Sequence, residues 1–478
     1  MQRGLLLKSK VFVITLVVLF CLSTTFLLNF LEYEKKYSEQ TSKSGRAERT
    51  IKANSFNFHS IEIGAFPKSE KTLVATNLSN NSKYIYVSSR TRNVIKQYNF
   101  SSNRSIDYVG TKNLSHQATL SHSVNGIRKS NFFIYDLVAN NDFLYVSTVE
   151  TYHSENSCDR ISILKFRINP LSGALGKEQI AWRYGGCIRY GNGEPDGNLS
   201  LRLATAGKSV LMTVGLVSAL PFTNVYPNPG LIGLPPTFEE SLKKFSILGS
   251  VIEIQPNGSS LFKIIAKGLR SPQGIVADFN NPGTVWVTDH GPRGGDELNE
   301  FRGSEFPNFG WPYVTLGIPY FSERDEKSGS TLKVNFGSHF GYKSPRFFWT
   351  PSIAPSQLVL LNNSMGPKWS NWNRGDILVS TLKSESLFKL TRDSYGNFIS
   401  EEKVFLGERI RDIDQLGGLL VLGTDSGKIM VLEPSSTFIS EGLFPPLQVP
   451  YTEPQYFNIW SFLKLRWQQV LSGVDSIF

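Results

Sequence analysis

The sequence predicts an all-β protein, a six-bladed β-propeller that follows an N-terminal membrane anchor. One short strand pattern recurs six times between residues 84 and 423, and no strong helical periodicity lies between the copies. Radial repetition of small sheets leaves only short, protected edges, so a propeller is the favoured arrangement of such copies. The alternative is one large β-sandwich or two, because strand patterns alone do not fix closure.

The N-terminal segment, residues 1–31, is predicted to be a transmembrane anchor or a signal segment. MQRGLLLKSK places positive charge before an apolar run from Val11 to Phe30, which has about the 20 residues that span a bilayer. The stretch LSTTFLL does not match the small-x-small cleavage site of a signal peptide, which favours an uncleaved anchor. We therefore expect a single-pass membrane protein whose remaining domain lies on the periplasmic or another extracytoplasmic side.

The polar, charged residues 32–55 are predicted to be a linker, and the propeller is expected over residues 56–436. The tail, residues 437–478, contains FNIWSFLKLRWQQVL, whose aromatic and basic residues fit an amphipathic helix. Two roles stay open for this helix, namely contact with the membrane and packing on the outside of the propeller.

Each copy of the strand pattern is an apolar run that ends in a small or polar residue. The six copies are Tyr84–Ser88, Phe143–Ser147, Val210–Val214, Val285–Thr288, Ile377–Ser380 and Leu419–Gly423. Several are followed by a second strand after a turn, at Asn93–Tyr98, Ile161–Phe166, Ser386–Leu390 and Lys428–Leu432. The longest interval, residues 290–375, is expected to form loops over one mouth of the ring, where function should concentrate.

The charge balance favours anionic partners, because 50 Lys and Arg against 40 Asp and Glu give a formal charge of +10. Nucleic acid is not expected among them, since the basic residues are dispersed and no nucleic-acid-binding motif occurs. An anionic cofactor and the membrane surface are the expected partners. Outside the apolar run the cysteines are Cys158 and Cys187, for which a disulfide and two unrelated thiols both stay open.

The strongest functional signal lies between Gly268 and Trp311. A predicted strand ends there in a Gly-rich turn whose candidate metal ligands are Gly291, Pro292, Asp296 and Glu297. Converging main-chain carbonyls with carboxylates nearby are the hard oxygen ligands that calcium prefers. Taken alone, such a turn is equally compatible with a solvated hairpin.

The same stretch resembles the glucose/sorbosone dehydrogenase family. GLRSPQG, DHGPRGGDELN and NFGWP stand where the family has patterns close to GLRNPQG, EHGPRGGDELN and NYGWP. The best-known members are quinoproteins, so the resemblance implies pyrroloquinoline quinone (PQQ) and calcium as cofactors and a small sugar as substrate. It also implies that the carbonyls of Gly291 and Pro292 bind the calcium.

The resemblance further implies which side chains contact the cofactor, with Trp349 as an aromatic residue at the mouth. These residues are Arg270, Ser271, Lys383, Arg409, Arg411 and Trp349. PQQ carries three carboxylates on a flat ring system, so a divalent cation, several guanidinium or ammonium groups and an aromatic wall suit it. Taken singly, each of these cations is equally well explained as a solvated surface residue.

The chain departs from the family at the catalytic base. Oxidation of a sugar hydroxyl needs a proton acceptor, and the family His that opens an HxGGRL motif is replaced here by Asn198, which cannot act as a base. Two functions stay open: a membrane-anchored, PQQ-dependent aldose dehydrogenase that passes hydride to the quinone and electrons to an unidentified acceptor, and a non-catalytic propeller that serves as a binding module. Motifs of serine hydrolases, zinc proteases, P-loop enzymes and dinucleotide enzymes are absent from the sequence.

Overall fold

The regular structure of the described residues consists of β-strands. In the computed structural model of the protein, the described residues are 47–51, 53, 58–79, 82–101, 105–114, 122–124, 127–129, 132–140, 142–152, 158–185, 199–215, 247–311, 313–318, 335–362, 365, 369, 372 and 374–435. No helix within them is long and apolar enough to cross a membrane. The predicted anchor, most of the predicted linker, the predicted tail helix and Cys187 lie outside these residues.

The first half of the fold contains two entry strands, three four-stranded sheets and one short hairpin. The entry strands are β1 (Ala47–Ile51) and β2 (Phe58–Gly64). Blade 1 contains β3 (Thr72–Ser79), β4 (Ser82–Ser89), β5 (Val94–Phe100) and β6 (Ile106–Asn113), and the hairpin β7 (His122–Val124) and β8 (Ile127–Lys129) follows it. Blade 2 contains β9 (Phe132–Ala139), β10 (Phe143–Tyr152), β11 (Cys158–Ile168) and β12 (Leu175–Arg183). Blade 3 contains β13 (Leu203–Ala206), β14 (Ser209–Val214), β15 (Ser250–Ile254) and β16 (Phe262–Lys267).

The second half contains three further blades and one short parallel pair of strands. Blade 4 contains β17 (Pro272–Ala277), β18 (Thr284–Asp289) and β19 (Asp296–Arg302), then, after the pair β20 (Val314–Thr315) and β21 (Asn335–Phe336), β22 (Phe347–Trp349). Blade 5 contains β23 (Pro355–Leu360), β24 (Ile377–Thr381), β25 (Ser386–Arg392) and β26 (Phe398–Phe405). Blade 6 contains β27 (Ile410–Gln415), β28 (Leu420–Thr424) and β29 (Lys428–Pro434).

The N-terminal strands complete blade 6 and thereby close the ring. Strand β2 pairs antiparallel with β29, from Phe58 opposite Pro434 to Gly64 opposite Lys428, and β1 adds to its outer edge. The first strand of each blade contacts the first strand of the next, in the order β3, β9, β13, β17, β23, β27 and back to β3. The six-bladed propeller predicted from the sequence is therefore confirmed.

The hydrophobic core is divided among the contacts between neighbouring blades. Six clusters of buried apolar residues occur, and each joins residues of two adjacent blades. The cluster between blades 2 and 3 packs Trp182 against Met212 and Ile252, and the cluster between blades 4 and 5 packs Trp286 against Leu358 and Phe398. Each sheet is therefore covered on both faces by the two neighbouring blades.

This packing explains why the strand pattern was visible in the sequence. The six predicted copies coincide with β4, β10, β14, β18, β24 and β28, the second strand of every blade. Every residue of β14, β18, β24 and β28 is buried, so these strands are continuous apolar runs rather than alternating ones. The prediction of six copies is confirmed strand by strand.

A buried ion cluster crosses the axis of the ring. The guanidinium group of Arg202, which precedes β13, donates from Nη1 to Asp136 of β9 at 2.8 Å and lies 3.5 Å from Asp412 of β27. The other oxygen of Asp136 accepts from the Leu203 amide, and Oδ2 of Asp412 accepts from the Val74 amide of β3. The first strands of blades 1, 2, 3 and 6 are therefore joined through three fully buried side chains.

We predict that Arg202→Met lowers the free energy of unfolding by about 3–5 kcal/mol, because it leaves two carboxylates buried without their cation. Urea denaturation of the purified protein measures the change. The matched control is Lys343→Met, which removes an exposed ion pair with Glu305 and should cost less than about 1 kcal/mol. Equal losses in the two variants would contradict the structural role of Arg202.

A second carboxylate of β27 gives a pH-dependent contribution to stability. Asp414 accepts from the amide and hydroxyl of Thr76, but burial outweighs these bonds and raises its pKa to about 6. Because this pKa exceeds the unfolded value near 3.8, the folded protein binds more protons between pH 4 and pH 6, and stability falls as pH rises through that window.

We therefore predict that the free energy of unfolding of the wild-type protein, relative to that of Asp414→Asn, decreases by up to about 3 kcal/mol from pH 4 to pH 7. Denaturant titrations of both proteins at several pH values measure the difference, and the comparison cancels the contributions of all other titrating groups. A difference that does not change with pH, or that grows as pH rises, would show that burial does not hold Asp414 in its protonated form.

Candidate functional site

The candidate site lies at the end of the ring where the innermost strands begin. Arg270 precedes β17, His290 follows β18, Lys383 follows β24, and Arg411 is the second residue of β27. Because every blade is an antiparallel meander that starts at the axis, these positions share one end of the propeller. The sequence motif and the separate cations are thereby brought to one mouth.

The Gly-rich loop after β18 is compact because glycines allow close main-chain contacts. A Cβ atom on Gly291 would lie 1.9 Å from the carbonyl oxygen of Gly295, and one on Gly295 would lie 2.1 Å from the amide nitrogen of Gly317. Arg270 spans the start of the loop, since its Nη1 donates to the carbonyls of His290 at 3.1 Å and Gly291 at 3.3 Å. The guanidinium also lies over the ring of Trp311, 5.4 Å from its centroid.

Asp289 joins the two halves of the family-like motif. Its carboxylate accepts from the amides of Arg270 at 2.9 Å and Ser271 at 2.6 Å, which fixes the GLRS turn against the DHGP turn. Burial raises the pKa of Asp289 to about 7, and the charge of Glu297 on the neighbouring strand adds to the effect. The Asp at the position of the family Glu therefore has a structural role.

His290 lies among the cations of this mouth. Its Nε2 lies 2.6 Å from the carbonyl oxygen of Pro355, and because a carbonyl only accepts, Nε2 carries the proton. Burial lowers the pKa of His290 to about 3, and the charges of Arg270, Arg411 and Arg202 act in the same direction. Those three guanidinium groups therefore surround a neutral imidazole.

The carboxylates predicted to bind calcium do not converge. Asp296 and Glu297 are successive residues of β19 and so point to opposite faces of the sheet. Asp296 accepts from the amides of Ile353 and Ala354, both at 2.8 Å, whereas Glu297 lies 2.9 Å from Nε2 of buried His339. Each carboxylate is thus hydrogen-bonded on its own side of the sheet, and their role as calcium ligands stays a prediction.

The main-chain oxygens of the Gly-rich loop are the other candidate metal ligands at this mouth. The described part of the chain contains no group of three or more His, Cys, Asp or Glu side chains that could hold a metal ion. Pro292 is buried, and the carbonyl of Gly291 accepts one long bond from Arg270. A carbonyl oxygen has two lone pairs, so Gly291 keeps a second acceptor site.

The predicted cofactor cations come together around one strand end. Arg411 forms a bidentate ion pair with Asp425, both contacts being 2.8 Å, and Arg409 reaches the same carboxylate at 3.1 Å. Nη1 of Arg409 also donates to the carbonyl of Leu382, next to exposed Lys383. The charges of Arg270 and Lys383 both act on Asp296, whose pKa burial nevertheless raises to about 7.

Two predicted cofactor contacts are placed differently by the structure. Ser271 is fully buried, with its hydroxyl accepting from Nε2 of Gln273, so it does not line the mouth. Trp349 is 4 % exposed, packs against Phe347 and Phe388, and donates from its indole to Glu401. It belongs to the core between blades 4 and 5 rather than to an open aromatic wall. Asn198 lies outside the described residues.

A small pocket, partly open to solvent, lies beside these cations. Its charged and polar lining residues are Lys71, Arg90, Tyr135, Ser200, Arg202, Gln273 and Arg411. Four of these are cations, and no carboxylate is among the lining residues that belong to the described part of the chain. Burial, together with the charges of Arg411 and Arg90, lowers the pKa of Lys71 to about 8. The pocket is therefore suited to an anion.

Sequence reasoning missed the residues that blades 1, 2 and 3 contribute to this pocket. Lys71 and Arg90 belong to blade 1, where no motif marks them. Asp136 stands alone in the apolar run FFIYDLVA, and a single acid in such a run indicates a buried, paired charge. That signal could have revealed the ion cluster, but not its partner Arg202.

Comparison with known proteins finds a family match in the C-terminal half of the propeller. Residues 244–431 match the model of the Glucose / Sorbosone dehydrogenase family. This matched segment includes the Gly268–Trp311 motif and all the predicted cofactor cations.

Two curated relatives match a similar portion of the chain. The aldose sugar dehydrogenase YliI of Escherichia coli is 30% identical over 180 residues, which are 36% of this chain and 44% of the relative. An uncharacterised protein of Synechocystis sp. is 29% identical over 191 residues, 37% of this chain and 42% of the relative. The chain thus spans less than half of the length of the curated relatives it matches.

Solved structures support the fold over a longer span. A glucose dehydrogenase superposes with a TM-score of 0.54 at 18% identity, covering 79% of this chain and 99% of that one. The apo form of the soluble aldose sugar dehydrogenase of Escherichia coli gives 0.52 at 18% identity, covering 79% and 100%. At this identity the likeness concerns the propeller fold.

Proposed function

We propose that the protein is a sugar dehydrogenase-like oxidoreductase that binds PQQ at the mouth of its propeller and oxidises the hydroxyl of a small sugar. The observation that carries the proposal is the convergence of Arg270, Lys383, Arg409 and Arg411 from blades 4, 5 and 6 on one strand end within the family segment. Four cations from three different blades form a binding site for a polyanion, whereas solvated surface cations would be dispersed.

The residues at the mouth fit the carboxylates of PQQ. Each guanidinium group offers a planar fork of donors, and the pairing of Arg409 and Arg411 with Asp425 holds both in place before a ligand arrives. The proposed calcium ligands are the main-chain carbonyls of Gly291 and Pro292 alone, since the side chains of Asp296 and Glu297 point to opposite faces of β19.

The chain's own contribution to the reaction is binding and orientation. Bound PQQ supplies an acceptor for the hydride of a sugar C–H bond. Arg270 is held flat by Trp311 and by two loop carbonyls, so the edge that faces the mouth is fixed before binding. Ser200 and Gln273 place neutral hydrogen-bonding groups in the pocket wall, where sugar hydroxyls require them.

The alternative function, a non-catalytic binding module, is favoured by one feature. Asn198 stands where the family has its general base, and an amide has no lone pair that accepts a proton at neutral pH. A general base contributes roughly 10² to 10⁴ in rate. A propeller that binds PQQ and sugar without turnover would therefore be the signature of this alternative.

The proposal includes the N-terminal anchor and an extracytoplasmic position for the propeller. The apolar run from Val11 to Phe30 and the positive charges before it support an N-in orientation. Electrons from the quinone would then pass to an acceptor in or near the membrane.

We predict that purified protein binds PQQ with calcium and that Lys383→Met weakens this binding about tenfold or more, because one charge-assisted contact is lost. Quenching of tryptophan fluorescence measures the affinity, and dye reduction with a panel of aldoses measures turnover. Lys383 is exposed, so the variant should fold normally. The control is Lys208→Met, in the turn between β13 and β14 at the far end of the ring. Equal affinity of the two variants would exclude the cation cluster as the PQQ site.

We predict that the full-length protein stays with membranes after an alkaline wash and that a chain lacking residues 1–31 does not, since the apolar run is long enough to span a bilayer. Fractionation followed by immunoblotting measures both. N-terminal sequencing of the full-length product is the control for cleavage. A mature protein that begins beyond residue 31 would replace the anchor with a signal peptide.

A further inference from the structure

The pocket has two walls, and the wall made by blades 1, 2 and 3 carries positive charge of its own. Lys71 precedes β3 and Arg90 follows β4, so both lie at the mouth, where they line the pocket together with Arg411 of blade 6. The residues of blades 1, 2 and 3 that line the pocket all precede the matched segment, residues 244–431. The charges of this wall therefore require an explanation separate from the binding of PQQ.

Glu70, which precedes Lys71 in the sequence, and Asp425, whose charge acts on Lys71, are committed to other groups. Glu70 accepts from the hydroxyls of Ser89 and Thr91 at 2.9 and 2.7 Å and from Arg92 at 3.0 Å. These bonds lower the pKa of Glu70 although burial opposes them. Asp425 is shared between Arg409 and Arg411. The ammonium group of Lys71 consequently stands among guanidinium groups with little compensation.

Arg90 is held in a fixed position facing the same space. Its amide donates to the carbonyl of Lys71 at 3.2 Å, and its own carbonyl accepts from the amide of Ile134 at 2.9 Å. The guanidinium carbon lies 4.2 Å from the centroid of the Tyr135 ring, and Nη2 donates to the Tyr135 hydroxyl at 2.7 Å. An arginine stacked in this way is oriented before any ligand binds.

We propose that the sugar bound in this pocket carries an anionic group, a carboxylate or a phosphate, and that Lys71 and Arg90 bind that group. This inference rests on the proposed function and specifies its substrate class. Lys71 supplies a point charge and Arg90 a planar fork, the two donor types that recognise carboxylate and phosphate. Ser200 and Gln273 lie in the same lining and would meet the neutral hydroxyls of the sugar ring.

The positive charges around Lys71 are brought together in a partly buried space. Burial and the charges of Arg411, Arg90 and Arg409 lower the pKa of Lys71 to about 8, and Asp425 only partly offsets them. An anion between Lys71 and Arg90 would screen this repulsion and raise the pKa of Lys71. A neutral aldose would leave the repulsion in place, so binding of the anionic sugar is favoured by the charges already present.

The test is isothermal titration calorimetry of the purified full-length protein with D-glucuronate, D-glucose 6-phosphate and D-glucose, each with and without PQQ and calcium. We expect at least one anionic sugar to bind tenfold or more tightly than glucose, and Lys71→Met to weaken its binding roughly tenfold to a hundredfold. Comparison of glucuronate with glucose 6-phosphate distinguishes the carboxylate from the phosphate. The control is Lys263→Met, an exposed lysine of β16, which should bind as the wild type does.

A measurement on the wild-type protein keeps the inference testable if the variant does not fold. Added salt should weaken the binding of the anionic sugar and leave that of glucose nearly unchanged, since salt screens partly exposed charges. Anionic sugars that bind no more tightly than glucose would overturn the inference.

The same titrations separate this inference from the proposed function. PQQ binding with oxidation of neutral aldoses only would retain the function and overturn the anionic substrate. Tight, Lys71-dependent binding of an anionic sugar by a protein that does not bind PQQ would retain the sugar site and remove the quinone.

Discussion

The guanidinium group of Arg202 holds four of the six innermost strands around the axis of the ring. Its positive charge compensates the carboxylates of Asp136 and Asp412. These carboxylates in turn accept hydrogen bonds from main-chain amides of β13 and β3. Isolated charges at this depth would cost several kcal/mol each, so the three side chains are stable only as a unit. The same guanidinium donates to the main-chain carbonyl of Arg411 and lines the pocket. The guanidinium group that joins the innermost strands therefore also contacts the main chain of Arg411 at the mouth.

The propeller could be predicted because its blades are covered on both faces. A strand such as β18, with all residues buried, leaves an unbroken apolar run that needs no partner to be recognised. Outer strands leave a weaker signal, since β6 has five exposed residues among eight. Closure could not be predicted either, because the pairing of Phe58 with Pro434 joins residues from opposite ends of the domain. Local patterns identify strands, whereas closure depends on contacts between strands that are distant in sequence.

The site shows the corresponding limit of a motif. GLRSPQG and DHGPRGGDE marked two loops that meet at the mouth, where Asp289 joins them. A motif gives positions along the chain but not the direction of each side chain. Asp296 and Glu297 diverge because strand residues alternate, and Trp349 points into a blade interface. Lys71 and Arg90 were missed because their relation to the motif exists only after the ring has closed.

The distribution of charge suggests a division of labour between the halves of the ring. Blades 4, 5 and 6 contribute the cations of the family segment, whereas blades 1, 2 and 3 contribute Lys71, Arg90 and Arg202. Arg202 is balanced by buried carboxylates and is explained by the fold alone. The position of Lys71 is not explained by the fold in this way. The charges of two neighbouring guanidinium groups act against its ammonium group, which costs free energy of folding. Apolar or neutral side chains could fill the same volume. A cost of that kind is usual where a ligand compensates it, as charged residues held in place before binding give affinity and specificity. In the function proposed above, Lys71 and Arg90 therefore select the substrate, whereas the cations of blades 4, 5 and 6 bind the cofactor.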